Sequence, residues 1–115
     1  MIFVIDSDVV MRKCVARACK KMGREVREFD NAIEAMSAMD AGVPEMIFTE
    51  VMLTGPDGFT FLNEMASYAD TGRVPVVLVT ELALSEYDLS AYGVVGVLNK
   101  ETMDPREVSE YAGRY

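Results

Sequence analysis

The chain has 115 residues, half of them apolar, and its nineteen acidic and eleven basic residues give a net charge of −8 with no histidine. That length and apolar share suit a single globular domain over residues 1–115, and the negative charge argues against direct binding of nucleic acid. No apolar run approaches the roughly 20 residues that span a bilayer, and without histidine the chain cannot hold a Ser-His-Asp or Cys-His catalytic set.

Five short apolar runs occur in order: Ile2 to Ile5, Val26 to Phe29, Met46 to Thr49, residues 74–79 and residues 94–98. Four of them are nearly continuous in branched and aromatic residues, which predicts parallel strands buried on both faces. The run at Val26 alternates more, and is expected nearer an edge of the sheet.

Between the runs lie amphipathic segments. Met11, Val15, Ala18 and Met22 form one stripe of a helix from a cap at Asp8 to a stop at Gly23. A second helix is expected over residues 30–41 with Ala32, Ile33 and Met36 inward, and a third after Pro56-Asp57-Gly58 on Phe61, Leu62, Met65 and Ala66. A fourth is expected over residues 85–92. A fifth starts at Asp104-Pro105 on Val108, Tyr111, Ala112 and Tyr115, proline being suited to a first helical turn. The nine methionines fall mostly on these stripes and read as core filling.

Cys14 and Cys19 lie five apart on the first helix, about 140° apart in rotation and roughly 7–9 Å apart between Cα atoms, which precludes a mutual disulfide. No basic-apolar-small leader opens the chain, so the expected compartment is the cytoplasm.

In an open parallel sheet, ligands bind beyond the carboxyl ends of the strands. There the runs deliver Asp6-Ser7-Asp8, Glu50, Thr80 and Lys100. A lone acid after a strand would suggest a helix cap, but four polar groups from four strands suggest one shared crevice, with Glu50 expected to pair with Lys100.

The series Phe3-Val4-Ile5-Asp6-Ser7-Asp8, Ile47-Phe48-Thr49-Glu50, Pro56-Asp57-Gly58, Val77-Leu78-Val79-Thr80 and Leu98-Asn99-Lys100 resembles the receiver (CheY-like) domain of two-component response regulators. The resemblance covers essentially the whole chain. It implies an α/β fold, a five-stranded parallel sheet of order 2-1-3-4-5 flanked by five helices in a flavodoxin-like three-layer sandwich. It also implies that Asp6 and Ser7 stand at the positions of the magnesium-binding acidic pair and Glu50 at that of the phosphoacceptor. Thr80, Val97 and Lys100 would then stand at the switch and phosphoryl-sensing positions.

The departures from that family are specific. Its phosphoacceptor is aspartate, and Glu50 is one methylene longer, a displacement of about 1.5 Å in a reaction governed by positioning. Ser7 removes one carboxylate from the metal site. Glu81 follows Thr80 where the family has a small residue, Glu101 replaces a proline after Lys100, Val97 replaces an aromatic, and the segment between Thr80 and Gly93 is short.

These departures lead to an atypical receiver, not itself an enzyme, that works by contact with another signalling protein or domain. It is expected to hold no cofactor, or magnesium only weakly on Asp6 and Glu50. The alternative is a phosphorylatable receiver using Glu50 or another carboxylate, such as Asp57, with magnesium, although Asp57 is better explained as a helix cap. A small-molecule α/β enzyme would need a phosphate-cradling glycine loop after the first strand, which is absent. The basic residues Arg12, Lys13, Arg17, Lys20 and Lys21 are either a solvated helix face or a docking face for an acidic partner. Pairing of two copies would use the fourth helix, fifth strand and fifth helix.

Overall fold

The computed structural model describes residues 1–53, 55, 57–84 and 86–115. Five parallel strands form one sheet: β1 (Ile2–Ile5), β2 (Val26–Phe29), β3 (Met46–Thr49), β4 (Val76–Thr80) and β5 (Val94–Asn99), in the order β2-β1-β3-β4-β5. Every residue of β1, β3 and β4 is buried, as unbroken apolar strands between two helical layers should be. β2 is at one edge, as its alternation suggests.

The helices are α1 (Val9–Lys21), α2 (Ala32–Met39), α3 (Gly58–Ala66) and α4 (Pro105–Arg114). Asp8 caps α1 by accepting from the Val10 and Met11 N–H groups, and Gly23 follows the helix at a φ of 75°. Asp104 caps α4 in a capping box with Glu107. Helices α1 and α4 pack on one face of the sheet, over Ile2, Val4, Phe48 and Val79. Helices α2 and α3 pack on the other, over Phe3, Ile5, Ile47 and Leu78.

Three expectations are corrected. First, the fourth α-helix expected over residues 85–92 is not formed by residues 86–92; a 3-10 turn, Ser90–Tyr92, is the helical element between β4 and β5 among the described residues. Thirteen residues separate the two strands, and at about 1.5 Å per residue a helix would use nearly all of them to retrace a strand of roughly 17–20 Å, leaving none for the turns. Asp88 also takes the Ser90 N–H and hydroxyl, and Gly93 ends the turn at a φ of 77°. The pairing surface expected from a fourth helix therefore has no helix there.

Second, β5 is not buried on both faces. It is the other edge strand, Val95 bulges out of its pairing with β4, and only Leu98 along it is buried. Third, Ile33 points outward, 63% exposed, while Ala32, Ala35 and Met39 face the sheet. The Phe3 and Phe29 rings, 4.8 Å apart, fill this side of the core and admit small alanines rather than isoleucine. Met22, Ala66 and Tyr115 are likewise exposed at helix ends. Pro56 and Ser85 lie outside the described residues. No helix among those described is long and apolar enough to cross a membrane.

Candidate functional site

Backbone bonds continue the strand ladders one step past their ends. The Asp6 N–H donates to the Phe29 carbonyl, Glu50 to Ile5, and Lys100 to Thr80, each at 3.0 Å. This continuation places Asp6, Glu50, Thr80 and Lys100 side by side at the carboxyl edge.

Lys100 is the centre of the group. Its Nζ lies 2.9 Å from Asp6 Oδ2 and 3.0 Å from Glu50 Oε1, and the three side chains are only 9%, 6% and 4% exposed. The pair with Glu50 is the one expected from the shared crevice. The pair with Asp6 was not anticipated, because chain order does not reveal that a lysine four carbons long, leaving β5, reaches across β4 and β3 to β1.

The remaining oxygens are also engaged. Glu50 Oε2 accepts from the Val51 and Met52 N–H groups at 2.6 and 3.1 Å. Thr80 Oγ1 in turn accepts from the Leu82 N–H at 3.2 Å. Asp6 Oδ1 accepts from the Asp8 N–H at 2.9 Å. Asp8 is committed to capping α1, and the exposed Ser7 hydroxyl donates to the Asp30 carbonyl.

Electrostatics separate the two carboxylates. Burial pushes the Asp6 carboxyl above its ordinary value, and the Lys100 ammonium only partly offsets this. Burial acts on Glu50 in the same direction, but the Thr80 hydroxyl, Lys100 and the Met52 N–H outweigh it and hold Glu50 below its ordinary value. Lys100 is pushed down by burial, yet its two carboxylate partners carry it above the ordinary lysine value. The cluster therefore sets one ammonium against two carboxyl groups that the surroundings drive in opposite directions.

Two residues that the sequence singles out for other reasons, Arg12 in the basic stretch and Gly58 in Pro-Asp-Gly, also support this edge. The Arg12 guanidinium donates to the Asp6 carbonyl at 2.9 Å and pairs with Glu28, which also binds Lys13. Gly58 donates to the Val51 carbonyl at 2.7 Å, and a Cβ there would lie 2.8 Å from the Glu50 carbonyl oxygen. The spacing of Pro-Asp-Gly after β3 was the available signal for the second.

The other sequence-selected residues lie apart. Val97 is half-buried against the core on the α2 and α3 side. Asp57 caps α3, its side chain accepting from the Thr60 N–H. Within the basic stretch Arg12 and Lys13 are engaged by Glu28, while Arg17, Lys20 and Lys21 are exposed with no ion pair among the described residues. Among those residues, no three His, Cys, Asp or Glu side chains are grouped to hold a metal ion.

Comparison with known proteins adds to the geometry. The NtrC transcriptional regulator of Escherichia coli (strain K12) is 24% identical over 80% of this chain, and the chain spans 19% of that protein. A protein-glutamate methylesterase/protein-glutamine glutaminase of Anaeromyxobacter dehalogenans is 29% identical over 98% of the chain, which spans 33% of it. The crystal structure of the receiver domain of NtrX from Brucella abortus superimposes with a TM-score of 0.83 at 26% identity, covering 99% of this chain and 98% of that one. Receiver domains are in general signalling modules that work with other signalling proteins or domains. The family described as response regulator receiver domain matches residues 2–112, and with the β2-β1-β3-β4-β5 sheet and its polar carboxyl edge this shows that the chain belongs to that family of two-component signalling.

Proposed function

We propose that this receiver domain signals by contact with another signalling protein or domain and does not run an aspartyl-phosphate cycle. In this reading Glu50 stands in the phosphoacceptor position, and its ion pair with Lys100 replaces the contact a phosphoryl group would make. The observation that carries the reading is the single ammonium of Lys100, its side chain 9% exposed, within 3.0 Å of both buried carboxylates, Asp6 and Glu50.

The chemistry follows from those contacts. Attack on a phosphoryl donor needs a carboxylate oxygen free to approach in line. Both Glu50 oxygens already accept, one from Lys100 and the other from two backbone N–H groups. Lys100, at a phosphoryl-sensing position by resemblance, is turned to Glu50 itself.

The donors fit a divalent cation poorly. Magnesium binding to proteins depends strongly on carboxylates and on octahedral space. Here Ser7 contributes no charge, Asp8 caps a helix, and Asp6 and Glu50 already hold an internal cation. We propose that magnesium binds weakly or not at all. The same reading implies action in the cytoplasm, in keeping with two free thiols at Cys14 and Cys19.

Intact mass spectrometry after incubation with a small acyl phosphate and magnesium tests the proposal. The expected result is an unmodified chain. A gain of about 80 Da, one phosphoryl group, removed by Glu50→Gln or by Asp57→Asn, would instead establish a phosphorylatable receiver.

A further inference from the structure

We propose that the groove between α2 and α3 is a docking site for a basic amphipathic helix of a partner protein. It lies on the opposite face of the sheet from α1 and α4, and the proposal does not depend on the state of Glu50 and Lys100.

The groove has two halves. One is a cavity of about 280 Å³ walled by Ile33, Met36, Phe61 and Glu64. The other, about 400 Å³, shares Met36 and Glu64 and runs on to Asp40, Tyr68 and Asp70. Its apolar half includes Ile33, 63% exposed although its neighbours Ala32 and Ala35 are buried. A large aliphatic side chain held outward beside a groove is the kind of anchor that helix-in-groove recognition uses.

The acidic half defines the occupant. From Arg27 to Arg73 the intervening 45 residues contain nine acidic residues and no lysine or arginine. Neither α2 nor α3 has a basic residue in its last turn, and the cap after α2 is Asp40. Helix C-termini carry partial negative charge and favour cations, so carboxylates at Asp40, Glu64 and Asp70 add to that field rather than neutralise it. The complementary ligand is a helix with two or three apolar anchors over Ile33 and Met36 and lysine or arginine a turn further on.

A second copy of this chain is the less suitable occupant. The exposed side of α1 is basic at Lys13, Arg17 and Lys20, but its exposed apolar residues, Val9, Val10 and Met22, are confined to the two ends. It supplies the charge without a central apolar anchor.

The test is fluorescence polarisation with a labelled synthetic helix of leucine and lysine, leucines at i, i+3, i+4 and i+7, beside a scrambled peptide of the same composition. The protein should bind the amphipathic peptide, and Ile33→Glu, or Asp40→Lys with Glu64→Lys, should weaken binding by at least about tenfold. Those positions are exposed, and the lysines improve charge at helix C-termini, so the variants fold; circular dichroism checks this, with Ile33→Ser as the substitute. Amide shifts on titration should fall on α2 and α3. Equal binding of the scrambled peptide, unchanged binding by the variants, or shifts confined to the α1 face would overturn the proposal. So would self-association in sedimentation that Arg17→Glu abolishes.

Discussion

Lys100 serves two carboxylates at once, so removing it should cost more than removing either partner. Taking one member from a buried ion pair leaves charge unpaired, at about 3–5 kcal/mol. Lys100→Met should lower the stability measured by urea unfolding by about that amount, and adding Glu50→Gln should restore part of it. A loss in the double variant equal to the sum of the losses in Lys100→Met and Glu50→Gln alone would show no coupling. Asp6→Asn should act in the opposite direction. Its carboxyl sits above the ordinary 3.8 because of burial, so the ionised form costs stability that a neutral amide does not. The variant should equal the wild type at pH below 3.8, gain on it as pH rises through the folded value of Asp6, and unfold at a higher temperature at pH 7. Lys100, raised above 10.5, contributes stability that should be lost as pH rises through its folded value. The partners of Lys100 were half legible: strand ends bring Glu50 and Lys100 to one crevice, but Asp6 as a second partner depends on side-chain reach. No sequence period encodes that reach.

Gly58 ties the loop after β3 to the start of α3. A Cβ there would lie 2.5 Å from the Val51 Cα and 2.8 Å from the Glu50 carbonyl, and both are backbone atoms that cannot turn aside. Gly58→Ala should therefore destabilise the domain by about 1–3 kcal/mol in thermal or urea unfolding. Asp104→Ala, which breaks the capping box of α4, should cost about 0.5–2 kcal/mol. Strand identity and helix starts were legible because they depend on local signals, such as the apolar run of β4 or the caps Asp8, Asp57 and Asp104. Residues 85–92 misled because amphipathic composition carries no information on the distance a crossover must span. Ile33 misled for a related reason. Period alone cannot choose between the stripe of Ala32, Ala35 and Met39 and the one through Ile33; the Phe3 and Phe29 rings on the sheet decide it.

The sheet order β2-β1-β3-β4-β5 gathers four strand ends into one polar edge, while charge separates by face, basic on α1 and acidic along α2 and α3. In this account the polar edge is satisfied from within, Lys100 acting as its cation, and communication belongs to the outer faces. A ligand that binds only the folded state raises its stability in proportion to the logarithm of its concentration over Kd, so magnesium occupancy can be read as a melting shift. The direct measurement is thermal unfolding with and without about 10 mM magnesium, for the wild type and for Ser7→Asp combined with Glu50→Asp. The expected result is a wild-type midpoint unchanged within about 1 °C and a rise of several degrees, about 2.7 kcal/mol at a hundredfold excess over Kd, in the double variant. A wild-type midpoint that rises as far as that of the double variant would contradict it.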